Sequence, residues 1–327
     1  MTASANEVTI NDFNPAEELA VTNSRIDGLE ARFNNLEAGS FSETTTASFG
    51  VDFVVGAEDG AASEAAQFSY QMGIALETSF TGEDALSATI DIGDAAADAL
   101  ALDSTGNQLT LDGLTYTFPV GGATVMVGDS TDISAVYTGA CAYSAFTDYM
   151  GNCGTGSTVG VGGNGVTAAM SYAFDSGFSL AGGISSTPTS ILTEEGSDVY
   201  GIEAAYSADS YGVSVAYSDD ETTTGWGVNG YYAFDAVTLS AGVESVDSGT
   251  TAEGFFVGLS FPEVGAGSLD IGMGTTGNFA DGDTEYYTYE ASYAYPVNDG
   301  MTITPGIYIV EGETDVTGVA LKTSFSF

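Results

Sequence analysis

From Thr45 to Phe327 the chain alternates apolar and polar residues with a period of two, and breaks that alternation at regular intervals. A period of two is the mark of a strand with one apolar face. Sixteen such runs are predicted: 45–56, 66–81, 84–93, 107–119, 121–129, 164–175, 177–186, 198–208, 210–219, 224–235, 237–246, 251–262, 265–275, 284–297, 300–311 and 316–327. Each is about as long as the ~9–11 residues of a tilted membrane strand. The connections alternate in character. One set is very short: Gly82-Glu83, Gly121, Ser176, Asp209, Asp235-Ala236, Glu263–Gly265 and Asn298–Gly300. The other is longer and acidic: 57–65, 94–106, 130–163, 187–197, 220–223, 247–250, 276–283 and 312–315. Short turns at one end and longer loops at the other predict an all-β fold, a 16-stranded antiparallel transmembrane β-barrel. An even strand count puts both chain ends at the short-turn side.

Composition removes many chemistries. Only 3 residues are Lys or Arg, 46 are Asp or Glu, none is His, and the net charge is -43. Nucleic-acid binding needs cations to neutralise phosphates, so it is excluded. Catalytic triads, His general bases and metal–His sites are excluded for want of His. Paired carboxylates could serve a glycosidase, but acids are so common here that any pair arises by chance. The chain therefore reads as no enzyme and holds no cofactor. Disorder, the other habit of acidic chains, conflicts with 43% hydrophobic and 11% aromatic residues. No stretch approaches the ~18 consecutive apolar residues of a membrane helix. Any membrane must then be crossed by strands closed into a barrel. Residues 1–14 are polar and show neither a basic nor an apolar leader region.

Aromatic pairs mark the short turns. Tyr116-Thr117-Phe118-Pro119, Tyr172-Ala173-Phe174-Asp175, Tyr232-Ala233-Phe234-Asp235 and Tyr293-Ala294-Tyr295-Pro296 each place two rings at i and i+2. Such rings share a strand face and predict an aromatic girdle at one membrane interface. In a soluble sandwich the rings would not gather at one set of strand ends. Cys141 and Cys153 lie 12 apart in a Gly/Ser/Thr-rich loop, which favours a disulfide formed in an oxidising compartment over two free thiols.

Residues 16–38 read differently. Leu19, Thr22, Ile26, Leu29, Phe33 and Leu36 are spaced 3-4-3-4-3, a heptad seam, with Arg25 and Arg32 on the polar faces. Three heptads are marginal alone in water, so the seam predicts a short α-helical coiled-coil stalk joining copies of the chain, with a homotrimer expected. The alternative is one amphipathic helix lying on its own domain. The expected domains are a flexible N-terminal tail (1–15), the stalk (16–38) and the barrel (40–327).

The run from Leu19 through Arg25-Ile26-Asp27-Gly28-Leu29-Glu30-Ala31 to Phe33, followed by Leu36 and Phe41-Ser42-Glu43-Thr44-Thr45-Thr46, resembles the junction of cyanobacterial outer-membrane porins. Those proteins place a coiled coil, then an F-S-x-T-T-T run, then a barrel. The alternating last strand, ending in Phe325 and Phe327, resembles the terminal signature read by the bacterial barrel-assembly machinery. The resemblance implies a porin of the bacterial outer membrane, its stalk in the periplasm, passing ions and small hydrophilic solutes by diffusion. Family members carry an S-layer-homology domain before the stalk, and residues 1–15 show nothing of the kind. In sixteen-stranded general porins the third long loop folds into the barrel. Here that loop is 130–163, with Tyr137, Tyr143, Phe146 and Tyr149 giving it unusual apolar content. It is expected to constrict the pore, stiffened by a 141–153 bridge, with Asp129, Asp132 and Asp148 as rim acids.

If apolar side chains face lipid, their alternates face the lumen. This phasing turns Asp52, Glu77, Asp91, Glu203, Glu244, Asp270, Glu290 and the lone barrel cation Lys322 inward. An acidic lumen concentrates cations within a Debye length of ~8 Å at physiological salt, so a cation-preferring channel is predicted. The acidic loops at 193–198, 219–221 and 280–283 could bridge divalent cations such as calcium loosely. Asp281-Gly282-Asp283 is too short for a calcium loop, and salt adaptation of an exposed surface is the plainer reading. Two other functions fit the pattern: a structural outer-membrane anchor with a plugged barrel, and a soluble acidic surface-layer β protein.

Overall fold

The computed structural model describes residues 45–61, 64–94, 102, 104–159, 165–193, 196 and 198–327. The expected tail and coiled-coil stalk, with Arg25 and Arg32, lie outside the described residues, as do Glu194 and Glu195 of one acidic loop.

Sixteen long strands follow one another: β1 (Thr45–Asp59), β2 (Gln67–Thr78), β3 (Ala85–Gly93), β4 (Thr110–Val120), β5 (Ala123–Thr131), β6 (Gly165–Ala173), β7 (Phe178–Ser186), β8 (Asp198–Ser207), β9 (Tyr211–Asp219), β10 (Thr224–Ala233), β11 (Thr238–Asp247), β12 (Thr251–Val264), β13 (Gly267–Thr275), β14 (Tyr287–Asn298), β15 (Met301–Val310) and β16 (Val316–Ser326). A two-residue strand, Phe279–Ala280, pairs with the start of β12 from the loop between β13 and β14. Every strand pairs with its sequence neighbours, and β1 pairs antiparallel with β16. The sheet is therefore closed and has no free edge, the one all-strand arrangement that satisfies its backbone within lipid.

The turns explain the hairpins. β4 and β5 are joined by two residues, with Val120 opposite Ala123, and Gly121 takes a φ of 62° that a side chain would resist. The turn between β2 and β3 is organised by Asp84 instead. Its carboxylate accepts from the Tyr116 hydroxyl (2.6 Å), the Thr81 amide (2.8 Å), the Phe80 amide (2.9 Å) and the Ser79 hydroxyl (2.8 Å). The Tyr116 bond first, then those of the turn, hold that carboxyl well below the usual carboxylate range.

Alternation places apolar side chains outside. Val213, Val215, Ile202, Ile271, Ile307 and Val319 are all exposed on the outer face, where a membrane would cover them. The aromatic band at the short-turn end is continuous over long arcs. Phe178 packs on Tyr206, Tyr206 on Tyr211, Tyr211 on Tyr232 and Tyr232 on Phe234, with centroids 4.7 to 6.4 Å apart. Tyr116–Phe118 and Tyr172–Phe174 extend it. Trp226, Tyr200 and Tyr217 stand exposed near the long-loop end.

The closing seam ends in Phe327. Its amide donates to the Phe49 carbonyl (3.0 Å), the Phe49 amide donates to its carbonyl (2.8 Å), and the two rings stack at 5.4 Å. Phe327→Ser keeps the backbone bonds and removes the stacking, worth about 1 kcal/mol. The expected result is an earlier urea midpoint for the refolded barrel in detergent, read by the mobility of unboiled samples.

Candidate functional site

Between β5 and β6 the chain over residues 132–159 does not leave the barrel. It turns into the lumen and lies along the inner wall as a hairpin. A short helical turn, Ile133–Val136, begins it, capped by Asp132, whose carboxylate accepts from the Ser134 amide (2.6 Å). Ile133 is fully buried against Met126 of β5 and Ala169 of β6, both inward-facing. The outgoing arm crosses β8 at Thr138 and Gly139, β10 at Ala140 and β12 at Tyr143. Its tip, Phe146, packs against Val54 of β1, Tyr308 of β15 and Ala320 of β16. The returning arm, Asp148–Gly154 and Gly156–Val159, retraces β13, β12, β11 and β10. The Cys141–Cys153 disulfide joins the two arms, with Cα atoms 5.6 Å apart.

Carboxylates of the wall hold this hairpin. Glu203 accepts from the amides of Thr138 (2.7 Å) and Gly139 (2.8 Å). Glu290 accepts from the Phe146 amide (2.8 Å), the Thr147 amide (2.8 Å), the Thr147 hydroxyl (2.6 Å) and the Tyr143 hydroxyl (2.9 Å). Glu244 accepts from the Thr158 amide (3.1 Å) and from Asn278 Nδ2 (2.8 Å). Asn229 ties the arms together, accepting from the Ala140 amide and donating to the Thr155 hydroxyl, both at 3.0 Å. Hydrogen bonds to a charged acceptor contribute about 1.5–3 kcal/mol each, and they also meet the cost of covering an ion. Burial first, and then the charge of Glu290, pushes the Tyr143 hydroxyl up, so it stays a donor. Tyr137 is raised likewise by burial, then by Glu203 and Asp132.

Missing side chains make room for the hairpin. A Cβ on Gly242 would stand 2.0 Å from the Cys153 carbonyl oxygen. One on Gly306 would stand 2.4 Å from the Phe146 ring, and one on Gly272 2.6 Å from the Tyr143 hydroxyl. The sequence reading passed over these glycines. An inward glycine on each of the alternate wall strands β11, β13 and β15, on the same arc as inward acids, was the available signal.

The expected site residues fall into three groups. Glu203, Glu244, Glu290 and Asp270 do point inward, but they are 4 to 6% exposed. The first three lie beneath the hairpin, and Asp270 accepts from Ser260 on the wall. The three glutamates are seats for the loop rather than a lining for water, because the loop's path across the lumen covers them. Asp52, Glu77, Asp91 and Lys322 form the second group, on the arc of wall from β16 through β1 to β3. The inward side chains of Gln71, Glu77, Thr89, Asp91, Thr115 and Thr117 stay accessible there. Gln71 donates from Nε2 to Asp52 Oδ2 at 2.7 Å.

The loop acids are the third group. Asp148 is exposed at the start of the returning arm, and with Glu244, Asn152 and Asn278 it lines a cavity of about 320 Å³. Asp132 is spent on its cap. Asp129 is not on the rim: β5 continues past it, and the register sets it opposite Leu114 on the outer face. Tyr143 is buried against Phe256, and the Tyr137 hydroxyl is buried too. Among the described residues no cluster of acids has the makings of a metal site.

Comparison with known proteins agrees with this architecture. The structure is similar to that of Pseudomonas putida OprB at high pH, with a TM-score of 0.71 and 14% identity over 87% of this chain and 94% of that one. A mutant of Rh. blastica porin is similar with a TM-score of 0.60 and 17% identity, over 86% of this chain and all of that one. An uncharacterized protein of Nostoc sp., alr4550, is 34% identical over 136 residues. That match spans 35% of this chain and only 24% of the Nostoc protein. Residues 104–315 match the family of Gram-negative porins. The closed sixteen-stranded barrel and a match over well over half its length place this chain in the Gram-negative porin family, whose fold is that of outer-membrane diffusion channels and not of enzymes.

Proposed function

We propose that the protein is a homotrimeric outer-membrane porin that passes ions and small hydrophilic solutes through a water-filled lumen and prefers cations. One observation carries the preference. The hairpin covers one side of the lumen and consumes the carboxylates there, while the uncovered arc keeps Asp52, Glu77 and Asp91 accessible against one cation, Lys322. Fixed anions beside a water path raise the local concentration of cations. Neighbouring β3 and β4 line the same arc with Thr89, Thr115 and Thr117, polar groups suited to hydrated solutes. Trimerisation follows the heptad seam of residues 16–38 and the exposed apolar outer wall.

The test is a planar-bilayer recording of the folded, detergent-purified protein under a tenfold KCl gradient. Conductance steps in threes and a cation-signed reversal potential are expected. An anion-signed potential would overturn the role given to the open arc. Silence from folded protein would overturn the channel and favour a plugged anchor.

A further inference from the structure

We propose that Lys322, rather than any residue of the inserted hairpin, sets how strongly the channel prefers cations. The inference rests on the porin reading and names the residue that tunes it.

The hairpin tip meets the wall at Val54, Tyr308 and Ala320. On β16 the next inward residue toward the short-turn end is Lys322, directly opposite Val54 of β1 and Thr304 of β15. Its side chain therefore leaves the wall beside the seat of the tip, on the short-turn side. Asp52 is the next inward residue on β1, opposite Ser324 and so diagonal to Lys322. Diagonal neighbours lie roughly 7–8 Å apart, inside a Debye length of ~8 Å. Asp91 follows along the arc, opposite Gly73. With no side chain at Gly73, a Cβ there would stand 3.2 Å from Asp91 Oδ1, so the glycine leaves the carboxylate room toward the lumen.

The outgoing arm of the hairpin contributes little field here, and the exposed acid of the returning arm, Asp148, lies at the cavity beside Glu244 and Asn278. Along the outgoing arm the exposed residues are Ala135, Thr138, Ala142 and Ser144, all uncharged. Its acidic contacts, Glu203 and Glu290, are covered and fully engaged with donors. The open arc from β16 to β3 thus carries three accessible carboxylates, Asp52, Glu77 and Asp91, against one ammonium. Losing the ammonium raises the net charge of that arc from about two negative units to about three. Lys322 is also replaceable without breaking a direct charge pair across the ladder, because Val54 and Thr304 are both uncharged. A purely structural lysine would leave ion selection unmoved.

Reversal potentials of wild type, Lys322→Gln, Lys322→Glu, Asp52→Asn and Asp148→Asn under a tenfold KCl gradient test this. Unboiled-gel mobility confirms that each variant is folded. Lys322→Gln is expected to raise the cation-to-anion permeability ratio about threefold, as one unit charge within a Debye length should. Lys322→Glu should raise it further, and Asp52→Asn should lower it. Asp299→Asn, in the turn between β14 and β15, changes net charge outside the lumen and controls for bulk effects. An unchanged ratio in Lys322→Gln, while wild type conducts and selects cations, overturns the proposal and leaves the porin reading standing. A larger shift from Asp148→Asn than from Lys322→Gln also overturns it. A wild-type protein that does not conduct overturns both.

Discussion

Glu290→Ala is expected to raise single-channel conductance at least twofold and to admit larger sugars in liposome swelling. Four donors converge on this carboxylate, three of them from the hairpin tip at Phe146 and Thr147. Alanine leaves them buried without an acceptor, at about 1–3 kcal/mol each. The tip has a cheaper alternative, which is to leave the wall and be solvated in the lumen. Phe146 would then give up its packing on Val54, Tyr308 and Ala320, a loss smaller than three orphaned donors. The barrel should survive, because the β14 ladder to β13 and β15 does not involve the side chain. Glu77→Ala serves as a comparison, since Glu77 is exposed near the short-turn end and seats nothing in the hairpin. Equal conductance in wild type and Glu290→Ala would show that the seat does not depend on this carboxylate.

Gly242→Val attacks the seat from the other side. Valine suits a strand, and residue 242 sits within the ladder between Asn229 and Phe256, so the barrel itself tolerates the change. The added Cβ would meet the Cys153 carbonyl at 2.0 Å. Backbone cannot yield there as the end of a flexible side chain could, so the returning arm must lift. Chymotrypsin reports the result. Phe146 and Tyr143 are buried in the seated hairpin. In the variant they should be cut at least tenfold faster, as local opening becomes cheap. Cleavage between Cys141 and Cys153 leaves the pieces joined by the disulfide, so the new fragments appear only after reduction. Resistance equal to wild type would mean that the hairpin accommodates the extra carbon.

The barrel was legible because each strand carries its own evidence. Val213, Val215 and Tyr217 alternate with Gly212, Ser214 and Ala216, and no distant residue is needed to read which face is which. The aromatics before the turns, and the third long connection with its apolar residues, were local signals of the same kind. What covers Glu203 or Glu290 is not local. Their partners lie 64 and 144 positions away in sequence, and nothing around either glutamate distinguishes a sealed carboxylate from a wet one. Asp129 was misplaced for a smaller reason. It reads as the last residue of its strand, at the mouth of the loop, yet the β4 ladder holds it opposite Leu114 on the outer face.

The way the hairpin is held also decides which of its positions are free to change. Glu203 and Glu290 grip mainly main-chain amides, those of Thr138, Gly139, Phe146 and Thr147. Any residue but proline presents that amide. Side chains on the exposed edge, Ala135, Ala142 and Ser144, can therefore be exchanged for charged, bulky or aromatic ones while the grip stays as it is. The wall behaves as a fixed socket and the hairpin as an interchangeable insert. New permeation properties can be written into those few positions without refolding a single strand.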